Sequence, residues 1–273
     1  MSVKAALLCG LNYIGSNSEL NGCINDVTNM RDVLIKHYGY DAKNITVLTD
    51  NTKVKPTKAN IIKYLQKLIS NTTATHLYFH YSGHGSTVLD KNNDEIDGCD
   101  ECIIPLDFRK NNTVITDDEI NQIVKQLRPE CKLSMVFDAC HSGTMVDLKY
   151  DLQCLSVHNN SAQVDPNDVY MYQNWSYDYK VSQNSKYNDL AANVFSLSGC
   201  LDSQTSADAY INKKFQGALT YVLMKVLEIN QYKNIKLKYL LKDIHCMLKQ
   251  QQYSQKPVIQ SSKPIQLDGE FSI

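Results

Sequence analysis

Apolar positions along this chain fall into two alternating patterns. Val3–Leu11, Asn44–Leu48, His76–Tyr81, Leu133–Phe137 and Val194–Cys200 are short runs rich in aliphatic, aromatic or β-branched residues, which reads as buried strands. Between the earliest of them, Asn25–His37 and Thr57–Ile69 carry apolar residues at helical spacing, with Ile61, Ile62, Leu65 and Leu68 forming one stripe. Asp117–Leu127, Gly217–Ile229 and Ile235–Leu248 repeat that pattern, and Cys102–Leu106 and Pro257–Gln260 add short strands. The β-α-β-α-β order predicts an α/β fold, with a mostly parallel central sheet and helices on both faces. From Leu148 to Leu190 the chain turns polar and rich in Asn, Ser, Tyr and Asp. The expectation there is a long linking loop of about 40 residues, uncommon in a compact domain unless functional. The predicted division is one domain over 1–273, with a first region over 1–147, a linker over 148–190 and a last region over 191–273.

Two strands end in turn-forming chemistry. His76–Tyr81 breaks at Ser82-Gly83 and delivers His84 before Gly85, while Leu133–Phe137 breaks into Asp138-Ala139-Cys140-His141-Ser142-Gly143. In open α/β sheets the ligand crevice lies at the carboxyl ends of the strands. A cysteine alone is usually a small buried hydrophobe, and a lone histidine at a strand end often just bonds backbone. Together, each at the end of an apolar strand and each flanked by glycine, they read as a nucleophile and its base. His141 is the poorer base, because adjacent side chains diverge on an extended backbone.

Composition removes other classes. The 28 basic and 29 acidic residues leave a formal charge of −1, so nothing electrostatic points to nucleic acid or to an acidic membrane. No apolar run reaches transmembrane length, and the N-terminus lacks a signal-peptide pattern. Nine scattered cysteines read as reduced thiols of a cytoplasmic protein. Cys99-x-x-Cys102 has no second pair, and His76, His80 and His84 would spread over about 13 Å of strand, so zinc is not supported. Gly10–Gly15 lacks the Lys-Ser/Thr of a phosphate loop, and Asp90–Glu101 has Glu95 where an EF-hand needs glycine.

The motifs Tyr81-Ser-Gly-His84-Gly85 and Asp138-Ala-Cys140-His-Ser-Gly143 resemble those of metacaspases, the caspase-related cysteine peptidases. In caspases the cysteine motif is Gln-Ala-Cys-x-Gly, with its histidine about fifty residues upstream; here Asp138 stands in place of the glutamine. The resemblance extends over Leu20–Asp26, Asp97–Glu101, Thr116–Glu119, Ser198–Asp208 and Tyr253–Ser262, nearly the whole chain, in a form without the family's frequent Pro- or Gln-rich leader. It implies a caspase-like fold and an endopeptidase in which Cys140 attacks the scissile carbonyl, His84 carries the proton, and the N–H groups of Gly85 and Cys140 hold the oxyanion. It implies that Asp26 and Asp138, lined by Cys23 and Ser82, receive a substrate Arg or Lys side chain (P1, the residue before the scissile bond). It also implies an activating Ca²⁺ at Asp100, Asp117, Asp118 and Asp147.

Each residue has a plainer reading. Gly85 suits a turn with positive φ, Asp26 a helix N-cap, Asp138 a cap or ion pair, and Asp117 and Asp118 a helix N-terminus. Asp208 has no assigned role. Self-cleavage would fall at Lys149, Lys180 or Lys186, and the expected state is a monomer. The alternatives are a catalytically silent, calcium-responsive binding module and a different cysteine hydrolase on the same sheet.

Overall fold

In the computed structural model, residues 3–90, 98–111, 113–140, 142–159, 175–185, 187, 189–199, 208–211, 214–271 and 273 are described. His141, Lys186 and the 200–207 part of the Ser198–Asp208 motif lie outside them.

The first half builds the predicted βαβαβ frame. Strand β1 (Val3–Gly10) leads through helix α1 (Cys23–Tyr38) to β2 (Ile45–Thr49), and α2 (Lys58–Ile69) leads to β3 (Ala74–Ser82). Helix α2 starts where Thr57 accepts the Asn60 N–H, and α1 stops at Gly39, whose φ of 70° suits a left-handed C-cap. A small antiparallel sheet follows, of β4 (Gly85–Leu89), β5 (Cys99–Ile103) and β6 (Ile115–Thr116), with the short α3 (Phe108–Asn111) before β6. The strand expected at Cys102–Leu106 thus lies earlier in the chain. Pro105, which has no N–H to give a ladder, follows its end. Helix α4 (Asp117–Val124) opens with a capping box between Thr116 and Glu119, and β7 (Lys132–Asp138) is the apolar run before Cys140.

The expected loop over 148–190 contains two strands, β8 (Tyr150–Asn159) and β9 (Trp175–Gln183), paired antiparallel. Their alternation is written in residues that a search for aliphatic runs passes over. Leu152 and Cys154 turn inward between half-buried Asp151 and Gln153, and Tyr177 and Tyr179 lie over the second core. The chain then makes β10 (Asn193–Ser198), β11 (Asp208–Ile211), β12 (Lys214–Gly217), α5 (Ala218–Ile229), β13 (Ile235–Lys236), α6 (Leu237–Gln250), β14 (Val258–Ser261) and β15 (Glu270–Phe271).

The central sheet has eight strands in the order β2-β1-β3-β7-β10-β14-β8-β9. From β2 to β10 every pairing is parallel, and beyond β10 every pairing is antiparallel. Helices cover both faces. One core packs β1, β3 and β7 under α2 and α4, through residues such as Leu7, Phe79, Met135, Leu65 and Ile120; the other packs them under α1, α5 and α6, through Leu8, Tyr78, Val136, Met30 and Leu223. Among the described residues no helix is long and apolar enough to cross a membrane.

Helix α1 lies very close to β1. A Cβ on Gly10 would stand 2.4 Å from the Cys23 carbonyl oxygen and 2.6 Å from Val27 Cγ2. We therefore expect Gly10→Ala to destabilise the fold by about 2 kcal/mol, because backbone and packed helix would both have to shift. Urea unfolding measures this, and an unchanged midpoint would contradict the close approach.

Candidate active site

The site is set by strand register. β3 and β7 are parallel neighbours in which Ser82 lies level with Asp138. His84 and Cys140 therefore each stand two residues past the same rung, at the carboxyl ends of adjacent strands. The Gly83 N–H donates to the Asp138 carbonyl at 3.3 Å. At Gly85 a Cβ would come within 2.0 Å of the Cys140 carbonyl oxygen, so glycine is required by close approach. It does not have the positive φ of the turn reading. Cys140 is partly exposed, whereas every other described cysteine except Cys99 is buried.

His84 is held in part by Tyr13 and Ser18, which lie outside the strand-end motifs. Its Nε2 donates to the Ser18 carbonyl at 2.7 Å, and its ring lies 4.7 Å from that of Tyr13. A carbonyl can only accept, so the proton sits on Nε2 and leaves Nδ1 as the basic nitrogen. The His84 N–H donates to Tyr13 Oη at 3.0 Å, Tyr13 Oη donates to the Ile104 carbonyl at 2.7 Å, and Tyr81 Oη donates to the His84 carbonyl at 2.8 Å. Burial pushes both phenols far above the usual tyrosine range, so they stay neutral. Tyr13 itself has a φ of 51°. Ser18 was illegible because its backbone, not its side chain, makes the contact.

Asp26 and Asp138 are brought together under the N-terminus of α5. Asp26 is fully buried, accepting from Ser82 Oγ at 2.7 Å and from the Gly217 N–H at 3.0 Å. Asp138 is also buried, and its Oδ2 accepts from the Thr220 N–H at 2.8 Å. Gly217 and Thr220 are the N-cap and third residue of the helix, so the strand aspartate caps it from outside and the helix dipole favours both charges. A Cβ on Gly217 would lie 2.2 Å from Asp138 Oδ2 and 2.8 Å from Asp26 Oδ2; both carboxylates crowd one main-chain atom. Asp26 is not the cap of α1, a place held by Gly22. Cys23 is buried one turn before Asp26 on that helix.

The acidic residues expected to hold calcium converge only in part. Asp117 accepts the N–H groups of Glu101 and Asp118, each at 2.7 Å. Asn121, one turn along α4, donates to the Val146 carbonyl at 2.7 Å and so pins the turn that carries Asp147. Burial, and then the Asp147 carboxylate, push the Asp117 carboxyl well above the usual range. Glu101, passed over as a candidate, joins this cluster and accepts from Thr144 Oγ1 at 2.6 Å. Asp100 is buried on β5 and Asp118 is half-buried. The donor chemistry fits a hard divalent cation, although among the described residues no group of three or more acids, cysteines or histidines is arranged to hold one. Lys149 pairs with Asp189 at 2.8 Å, and Lys180 lies within β9 opposite Gln153.

A family model for metacaspase, peptidase C14 domain, matches residues 4–149. Metacaspase-1 of Scheffersomyces stipitis is 37% identical across 98% of this chain and 73% of its own length. The chain belongs to the metacaspase family. The fold agrees: this metacaspase resembles a crystal structure of a Geobacter sulfurreducens protein (TM-score 0.64, 24% identity, 98% of this chain and 97% of that one) and pro-sf-caspase-1 (TM-score 0.53, 10% identity, 97% and 88%). It is a caspase-like α/β protein of a cysteine peptidase family.

Behind the acidic pair of this metacaspase lies a buried polar relay. His80 Nε2 is 3.1 Å from Thr220 Oγ1, and its Nδ1 is 3.4 Å from Tyr78 Oη. Burial pushes the His80 imidazole down to about 3. A histidine with a lowered folded pKa contributes stability that is present above its unfolded value of about 6.5 and lost as pH falls through the window below it. Between pH 6 and 4 the unfolding free energy should therefore fall by up to about 1.4 kcal/mol per pH unit from this residue. Urea unfolding across that range should show a shallower slope in His80→Gln; equal slopes would mean the imidazole is not kept neutral.

Proposed function

We propose that this metacaspase is a calcium-stimulated cysteine endopeptidase that cuts after Arg or Lys. The reading is carried by the shared register of β3 and β7, with His84 and Cys140 past the same rung and Gly85 against the Cys140 main chain. Cys140 Sγ, as thiolate, attacks the scissile carbonyl, and His84 Nδ1 takes the thiol proton and returns it to the leaving amine. The Ser18 carbonyl keeps the imidazole in the tautomer this requires. The N–H groups of Gly85 and Cys140 are the donors proposed for the oxyanion. Water then opens the acyl-enzyme, with His84 as base.

A P1 guanidinium or ammonium is assigned to Asp26 and Asp138, with Ser82 and Cys23 beside them. Two buried carboxylates crowding one main-chain position suit a cationic side chain, which can donate charge-assisted hydrogen bonds to both. Calcium is assigned to Asp117 and Asp147, with Asp100 and Asp118 completing the shell. Two buried carboxylates that raise each other's cost are what a hard dication neutralises. Lys149, Lys180 and Lys186 are the proposed self-cleavage positions, and the protein is taken to act as a monomer.

The test is hydrolysis of fluorogenic peptides with Arg, Lys, Asp or Asn at P1, with and without millimolar calcium, beside Cys140→Ala and His84→Ala. We expect turnover after Arg and Lys only, stimulation by calcium, no activity in the cysteine variant and a loss of about 10³-fold or more in the histidine variant. Turnover after Asp would refute the acidic pocket. Folded protein that cuts none of the series would support the silent binding module instead.

A further inference from the structure

We propose that the cleft on the His84 side of the strand ends receives the leaving half of the substrate, taking an apolar residue directly after the scissile bond and an acidic residue next to it. The inference rests on the peptidase reading and names a second half of the same site.

A cleft of about 860 Å³ opens beside His84 and Gly85. Ile14, Ile104 and Leu106 give it apolar surface, and Arg109 and Lys110 stand at its rim. It does not include Asp26 or Asp138. The two sites lie on opposite faces of the sheet. The acidic pair sits among α1 and α5, whose apolar residues belong to one core, whereas Tyr13, Ile104 and Leu106 belong to or pack on the other. A peptide whose P1 side chain descends toward Asp26 and Asp138 crosses the strand ends at Cys140 and continues past His84. The leaving amine must lie within reach of His84 to collect its proton, so the residue that carries this amine starts at the mouth of the cleft.

The lining states what that residue is. Ile14 is 54% exposed and lines the cleft together with half-buried Ile104 and Leu106, and covering it removes apolar area from water. Asp50 also lines the cleft, its two oxygens accepting the N–H groups of Asn12 and Ile14 at 2.8 and 3.0 Å, which shapes the 13–18 loop. Arg109 and Lys110 are exposed and make no ion pair among the described residues. Two cations stand against the one acid among the lining residues, so the balance of charge there is positive, and an acidic residue one step beyond the apolar one meets it.

The test uses internally quenched peptides identical through a P1 Arg and carrying Leu-Asp, Leu-Lys, Ser-Asp or Ser-Lys as the next two residues. For the wild-type protein kcat/KM should favour Leu over Ser by about tenfold and Asp over Lys by about fivefold. The double reversal Arg109→Glu, Lys110→Glu should invert the Asp/Lys preference while keeping that for Leu. Ile14→Ser should shrink the Leu/Ser ratio while keeping that for Asp. Both sets of changes are at exposed positions, so folding is not at stake. Equal rates for the four peptides, or ratios unmoved in the variants, overturn the proposal while an Arg-coumarin amide is still cut. Failure to cut that amide as well refutes the peptidase reading. The cleft is then judged by titrating a fluorescein-labelled Leu-Asp peptide: saturable binding that the charge reversal abolishes supports it, and absent or unaltered binding overturns it.

Discussion

The in-register parallel pairing of β3 with β7 is the constraint on which the site depends. Seven residue pairs join the two strands, from His76 with Lys132 to Ser82 with Asp138. Their side chains alternate between two cores, Phe79 and Met135 toward one, Tyr78 and Val136 toward the other. Moving either strand by one residue would exchange these faces and bring His80 and Tyr81 to the wrong sides. Because both faces are covered, the slip is prohibited on both. The position of a histidine relative to a cysteine is thus fixed by packing several residues before either appears, and the exposed turns inherit an alignment made in the core.

The second organising feature is electrostatic. Two carboxylates are buried side by side, an arrangement that costs several kcal/mol unless donors meet them. Among their donors are the Ser82 hydroxyl and main-chain N–H groups of Gly217 and Thr220. Main-chain donors at a helix start carry partial positive charge without a counter-cation, so they favour negative charge at the pair without neutralising it. Strand β7, helix α1 and helix α5, far apart in sequence, meet at this point.

Much of this was legible in the chain and some was not, for physical reasons. Continuous apolar runs announced β1, β3, β7 and β10, because strands buried on two faces need such runs. The cysteine and histidine were legible because glycine and serine break those strands just where they stand. The β8–β9 hairpin escaped because its period is carried by Tyr, Asp, Gln and Cys rather than by aliphatic residues. Ser18 escaped because it contributes a carbonyl, which any residue has, and Gly217 because its role is to be small beside two distant acids. Glu101 lay inside a quoted motif, but its bond to Thr144 depends on how the turn after β7 folds back, which no spacing reveals.

The dependence of the acidic pair on Gly217 and Thr220 has a consequence for biosynthesis. Chains leave the ribosome N-terminus first, so Asp26, His84, Asp138 and Cys140 emerge well before the segment that supplies two of the pair's donors. Until that segment docks, the N–H groups of Gly217 and Thr220 are not in place to meet the two carboxylates, and closing the sheet over them is opposed. The nascent chain thus carries His84 and Cys140 while the acidic pair is unassembled. Completion of α5 is the step that joins them, and a chain broken off upstream of it would display the cysteine without the assembled pair beside it.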